Sequence, residues 1–192
     1  MEEIRGKLIL VTGGARSGKS TFAENYARNS GKRVIYLATA AGDDEEMRTR
    51  IKAHQQRRPA EFITMEERYY PHRIFEKEGG AGTFILLDCL TLLLTNLLLK
   101  EETEESQHSP DLTQEREKVF KKTLEYMSSF TSLMRSSAAD ALVVTNEVGM
   151  GLVPDNALGR IFCDLSGRAN QIVGAQADEV WVTVCGIAQK IK

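Results

Sequence analysis

Cysteine is sparse in this sequence. Its three cysteines, Cys89, Cys163 and Cys185, lie far apart in 192 residues and form no C-x-x-C pair. That spacing speaks against a zinc ribbon or a disulfide framework, and the thiols read as structural ones in apolar or helix-like surroundings, in a reducing cytoplasm. Net charge is also scarce, at −2. Such a balance excludes a broad electrostatic pull toward nucleic acid or an anionic membrane, so any phosphate binding has to be local. There is no long hydrophobic run. The longest, Leu90 to Leu99, is broken by Thr91, Thr95 and Asn96 and is too short to span a bilayer. The first apolar run begins within a few residues of Met1, leaving no room for a signal peptide, and a cytoplasmic protein is expected. No internal repeat is evident. What remains is an ordinary globular composition, 42% hydrophobic and 27% charged, which predicts a single domain over residues 1–192.

Short apolar or β-branched runs at Leu8–Val11, Val34–Leu37, Phe84–Leu87, Ala141–Val144 and Val180–Val184 predict strands. Their continuity is that of parallel strands buried on both faces, because a half-exposed strand would alternate. Helical patterns lie between them at Ser20–Asn29, Glu45–Gln56, Leu90–Lys100, Thr113–Arg135 and Leu158–Ala175. The alternation predicts an α/β fold with a mostly parallel central sheet flanked by helices. Ligands bind at the carboxyl ends of such strands, which groups Gly13–Ser20, Ala38–Asp44, the residues after Asp88 and Thr145–Asp155. The acidic stretch Lys100–Pro110 reads as a solvated, mobile connection, and Gly79–Gly82 as a flexible turn before a strand.

The most specific stretch is Gly13-Gly14-Ala15-Arg16-Ser17-Gly18-Lys19-Ser20, which fits G-x-x-x-x-G-K-[ST] between a strand and a helix. Its glycines let the backbone curl so that N–H groups face phosphate oxygens, Lys19 reaches the terminal phosphates, and Ser20 suits Mg²⁺. The helix that opens there adds its positive end to the same anion site.

Other candidates follow from position. Asp88 ends an apolar run, where a carboxylate reaches the magnesium shell or caps the next helix. Of the three histidines, His72 and His108 read as surface residues. His54 sits among Arg48, Arg50, Lys52, Arg57 and Arg58. It reads either as a solvated helix residue or as a nucleophile toward phosphorus, with Arg57 and Arg58 stabilising phosphate charge. Thr145-Asn146-Glu147 opens a loop with Gly149 and Gly151 that suits a close approach to ligand. It is not a guanine-reading N-K-x-D motif, which disfavours a switch GTPase. Arg160, Asp164 and Arg168 form a helical stripe that is solvated, lines a subunit contact or meets nucleotide phosphate.

Together these segments resemble the bifunctional adenosylcobinamide kinase and adenosylcobinamide-phosphate guanylyltransferase family of cobalamin biosynthesis. The resemblance is carried by Val11–Ser20, Arg50-Ile51-x-x-His54-x-x-x-Arg58-Pro59, Leu87–Thr91, Thr95–Leu98, Val144–Gly149, Gly167-Arg168-x-Asn170-Gln171 and Ala177–Val180. It implies a P-loop, RecA-like fold and a homotrimer. It also implies phosphorylation of adenosylcobinamide by ATP or GTP, followed by guanylyl transfer from GTP through a covalent GMP on His54. Nucleotide contacts are implied for Gly13 to Ser20, Ala38, Thr39, Ala40, Gln55, Gln56, Arg57, Arg58, Glu66 and Asp88, with Mg²⁺ on Ser20 and Asp88. The implied partners are GTP, ATP, adenosylcobinamide and its phosphate, with no nucleic acid and no membrane span. A RecA-like ATPase acting on a protein or nucleic-acid partner, and a nucleotide-binding module without chemistry, are the competing readings.

Overall fold

A computed structural model of the chain describes residues 5–40, 45, 48, 49, 52, 55, 56, 58–105 and 112–192. The strands are β1 (Leu8–Gly13), β2 (Arg33–Ala38), β3 (Ile63–Glu66), β4 (Thr83–Asp88), β5 (Asp140–Val144), β6 (Glu179–Val184) and β7 (Ile187–Lys190). The helices are α1 (Lys19–Asn29), α2 (His72–Glu78), α3 (Leu90–Glu105), α4 (Leu112–Ser136) and α5 (Ala157–Gln176), with a 3₁₀ turn at Val148–Met150. Among the described residues all seven strands join one sheet in the order β3-β2-β4-β5-β1-β6-β7. Every pairing is parallel except that of β6 with β7.

The uninterrupted apolar runs are explained by two cores, one on each face of the sheet. Alternate residues of a strand point to opposite faces. Leu8, Leu10, Ile35, Leu37, Ile85, Leu87 and Val143 meet Leu90, Leu93, Leu94, Met127, Phe130, Leu165 and Val173 on the face covered by α2 to α5. Ile9, Val11, Val34, Tyr36, Phe84, Leu86 and Val144 meet Ala23 and Ala27 of α1 on the other. Leu86 and Leu87 are both fully buried, one toward each core, and each such side chain contributes about 1.5–3 kcal/mol of transfer free energy. A strand with both neighbours water-free has no polar alternation to show.

The expected strands all form. Two short ones, β3 and β7, and helix α2 were not anticipated. The expected helix Glu45–Gln56 is helical at Glu45, Arg48, Thr49, Lys52, Gln55 and Gln56, and its other residues lie outside the described ones. α3 continues to Glu105, into the acidic stretch read as a mobile connection, and residues 106–111, His108 among them, lie outside the described residues. His72 is not a simple surface residue. Its ring lies edge-on to Tyr70 and Tyr126, with Nδ1 hydrogen-bonded to the Tyr126 hydroxyl at 3.0 Å. Cys185 also departs from expectation, standing exposed in the β6–β7 turn with φ +52°. No helix among the described residues is long and apolar enough to cross a membrane.

Candidate nucleotide and transfer site

The register places one row of residues along the carboxyl edge of the sheet. Glu66 pairs with Ala38, Ala38 with Asp88, Asp88 with Val144, and Val144 with Val11. The phosphate loop leaves β1 two residues beyond Val11, at Gly13. Its backbone uses conformations that suit glycine. Gly13 has φ +149°, and a Cβ there would strike the Thr183 carbonyl. Gly18 has φ +100°, and its Cβ would come within 3.1 Å of the Gly186 backbone. The β6–β7 hairpin therefore backs the loop directly. Ser17 Oγ and Thr183 Oγ1 hydrogen-bond at 2.7 Å, and the Gly186 amide donates to the Ser17 carbonyl at 2.9 Å.

Lys19 opens α1 and is buried, its Nζ donating to the Gly14 carbonyl at 2.6 Å across its own loop. Burial holds its pKa below the ordinary lysine value, an effect opposed by the charge of Asp88. An ammonium held in this way is short of negative charge, which a phosphate would supply.

Asp88 ends β4 half-buried, and its Oδ2 accepts a hydrogen bond from Tyr36 Oη at 2.6 Å. The Tyr36 hydroxyl is driven well above its ordinary range by burial and then by the Asp88 charge. Arg58 stacks its guanidinium over the same ring, Cζ 3.5 Å from the centre, and donates from Nη1 to Thr64 Oγ1 at 3.0 Å. Gln55 Nε2 lies 3.4 Å from Glu66 Oε1. Arg58 and Gln55 thus stand with Glu66 and Asp88 at one end of the row. The backbone after Asp88 is pinned from below. Thr39 is fully buried, its hydroxyl donating to the Cys89 carbonyl at 2.7 Å and accepting from the Cys89 amide at 2.9 Å. Asn96 Nδ2 in turn donates to the Thr39 carbonyl at 2.8 Å. Burial and the Asp88 charge push the Cys89 thiol up to about 12, so it is inert at neutral pH.

Residues 9–191 match the family described as cobinamide kinase / cobinamide phosphate guanyltransferase. The chain belongs to that family. It is 39% identical over 185 residues to the bifunctional adenosylcobalamin biosynthesis protein CobU of Escherichia coli (strain K12), an alignment covering 96% of this chain and 99% of the relative. Its identity to CobU of Salmonella typhimurium is 40%, again over 96% of this chain and 99% of the other. Among solved structures it is similar to the ATP synthase subunit NeqB of Nanoarcheaum equitans, with TM-score 0.52 and 12% identity, covering 93% of this chain and 45% of that one. A type III secretion system ATPase gives TM-score 0.51 and 16% identity over 93% of this chain and 51% of the other. These likenesses bear out the P-loop, RecA-like fold and nothing about activity.

Of the nucleotide positions implied by kinship with the cobinamide kinases, Gly13 to Ser20 stand together at the end of β1. Ala38 to Ala40, Gln55, Arg58, Glu66 and Asp88 gather at the ends of β2 to β4, and Gln56 is an exposed helical residue beside Gln55. His54 and Arg57 lie outside the described residues. The helical stripe is divided: Arg160 Nη1 donates to the Pro154 and Asp155 carbonyls, whereas Arg168 lies over the Phe120 ring. Sequence reasoning singled out neither Tyr36 nor Thr183 and Gly186, which have no motif of their own. Tyr36→Phe removes a donor to Asp88, and hydrogen bonds to charged groups are worth about 1.5–3 kcal/mol. A fall in thermal midpoint of roughly 3–12 °C, measured by circular dichroism, is the expected result for a domain of this size.

Proposed function

We propose that the chain catalyses two transfers on this one nucleotide platform. In the first, the hydroxyl of the aminopropanol arm of adenosylcobinamide attacks the γ-phosphorus of ATP or GTP. The new O–P bond forms as the bond to the β-phosphate oxygen breaks, and the nucleoside diphosphate leaves. In the second, an imidazole nitrogen of His54 attacks the α-phosphorus of GTP and expels pyrophosphate. A phosphate oxygen of adenosylcobinamide phosphate then attacks that phosphorus, freeing His54 and giving adenosylcobinamide-GDP. The observation that carries this reading is the family match over residues 9–191, combined with a complete phosphate loop beside Asp88.

The side chains divide the work by their chemistry. Loop amides and Lys19 hold the phosphates and offset charge as it develops at phosphorus. Passing GMP through a phosphoramidate splits one substitution between two anions into two easier ones. Gln55 and Arg58, which follow His54 in the sequence, are anchored at Glu66 and Tyr36 near the Asp88 end of the row. Among the described residues no cluster of three or more His, Cys, Asp or Glu could cage a metal unaided. The Ser20 hydroxyl and the Asp88 carboxylate are nonetheless hard oxygen donors suited to Mg²⁺ shared with phosphates. When bound, the cation would offset phosphate charge. We further propose a cytoplasmic homotrimer that acts on these small molecules rather than on nucleic acid. Met150, Leu152 and Val153 are 84%, 97% and 82% exposed on the loop after β5, an apolar surface available to a neighbouring subunit.

The test is covalent chemistry. Incubation with GTP labelled at the α-phosphate is expected to leave an acid-labile, base-stable label on the protein, absent from His54→Ala. An unlabelled wild type, or an undiminished label on the variant, would overturn the assignment.

A further inference from the structure

Strand β5 lies between β4, which ends at Asp88, and β1, which feeds the phosphate loop. The residues that leave β5 therefore emerge between the carboxylate and the phosphates. The third of them is Glu147, half-buried, its amide donating to the Gly13 carbonyl at 3.3 Å. Its carboxylate is fixed by neutral donors alone. Oε1 accepts from Thr12 Oγ1 at 2.6 Å and from Asn170 Nδ2 at 3.3 Å. Asn170 is itself held, its Oδ1 accepting from Thr145 Oγ1 at 2.7 Å and its Nδ2 reaching the Asn146 carbonyl at 3.2 Å. Thr91 Oγ1 completes the brace by accepting from the Asn146 amide at 3.0 Å. Among the described residues no Lys, Arg or His forms an ion pair with Glu147, and Oε2 has no hydrogen-bond partner.

A carboxylate oriented through one oxygen, with the other left over and no cation to neutralise it, is built to accept a proton. The proposed first transfer releases one, because its acceptor is a hydroxyl; the second releases none from its acceptor, which is already a phosphate. The rest of the row is less suited. Asp88 is engaged by Tyr36 and, in the proposed scheme, by Mg²⁺, the next residue is the inert thiol of Cys89, and Glu66 stands exposed two strands beyond β4.

Resting on the proposed function, we propose that Glu147 is a catalytic residue of the phosphoryl transfer alone, the base for the acceptor hydroxyl. As the hydroxyl oxygen bonds to the γ-phosphorus and the nucleoside diphosphate departs, the proton passes to Glu147 and from there to solvent. Positioned bases of this kind contribute about 10²–10⁴-fold.

Glu147→Gln tests the role, because glutamine keeps an oxygen for Thr12 and Asn170 but cannot take the proton. Phosphorylation of adenosylcobinamide and guanylyl transfer to pre-formed adenosylcobinamide phosphate are measured on the same preparation. The expected result is a fall of at least about 100-fold in kcat for phosphorylation, with KM for ATP and the rate of guanylyl transfer within about threefold of wild type. A smaller fall in phosphorylation, or a parallel fall in guanylyl transfer, would overturn the role and make Glu147 a brace for the loop. Absence of phosphorylation by the wild type would instead overturn the proposed function, and this role with it.

Discussion

Lys19→Met is expected to lower both transfers by about 10²–10³-fold, the cost of removing one positioned donor from developing charge, while raising the thermal midpoint of the nucleotide-free protein. Both effects have one cause. Burial depresses the folded-state pKa of Lys19, so the protonated side chain is worse off in the folded protein than in the unfolded chain. Between that depressed pKa and the ordinary 10.5, the unfolded chain binds more protons, and stability rises with pH. Below that window the penalty is present in full. Methionine fills the same space without the charge, so the penalty disappears together with the reason for it. Thermal melts with and without GTP separate the two parts: the variant should start higher and gain nothing from nucleotide. A nucleotide-dependent rise equal to that of the wild type would mean that the loop amides alone hold the phosphates.

The second large effect is selective. His54→Ala is expected to abolish guanylyl transfer, by more than about 10³-fold, and to leave phosphorylation of adenosylcobinamide within about tenfold of wild type. In the proposed scheme only the second transfer uses an enzyme nucleophile, and the first passes directly between two substrates on the phosphate loop and the Asp88 edge. Product analysis should show adenosylcobinamide phosphate accumulating without its GDP-linked successor. Equal loss of both would assign His54 to shaping a shared site.

The sheet was legible wherever both faces of a strand are covered, because Leu8–Val11 or Phe84–Leu87 then offers nothing but apolar residues. β3 escaped notice for the opposite reason. Ile63, Thr64 and Glu66 are exposed and Met65 half-buried on an edge strand, so neither continuity nor alternation marks it. β7 is equally open, with Ile187 73% exposed. The phosphate loop could be read because its backbone geometry dictates residue types within eight positions. Asp88 could be read from its place at the end of a strand. The partners that finish the site could not, since nothing local in Tyr36 announces a carboxylate 52 positions on. The same holds for His72, which is taken in by Tyr126, a residue 54 positions away. Thr145-Asn146-Glu147 was visible as an unusual polar succession, but its purpose depends on Asn170 and Thr12, which only the folded sheet brings to it.

The hairpin behind the phosphate loop has a consequence for the order in which this protein becomes competent. The eight residues that name the site are made early, yet Gly18 rests on Gly186 and Ser17 on Thr183. A growing chain that has passed Ser20 holds the whole motif and lacks the wall that gives it shape. Contacts so distant along the chain carry a loop-closure cost that nearer ones do not. Nucleotide binding is therefore expected only once the segment through Gly186 has been synthesised and folded back, and a ribosome-bound fragment lacking it is expected to carry the motif without the site.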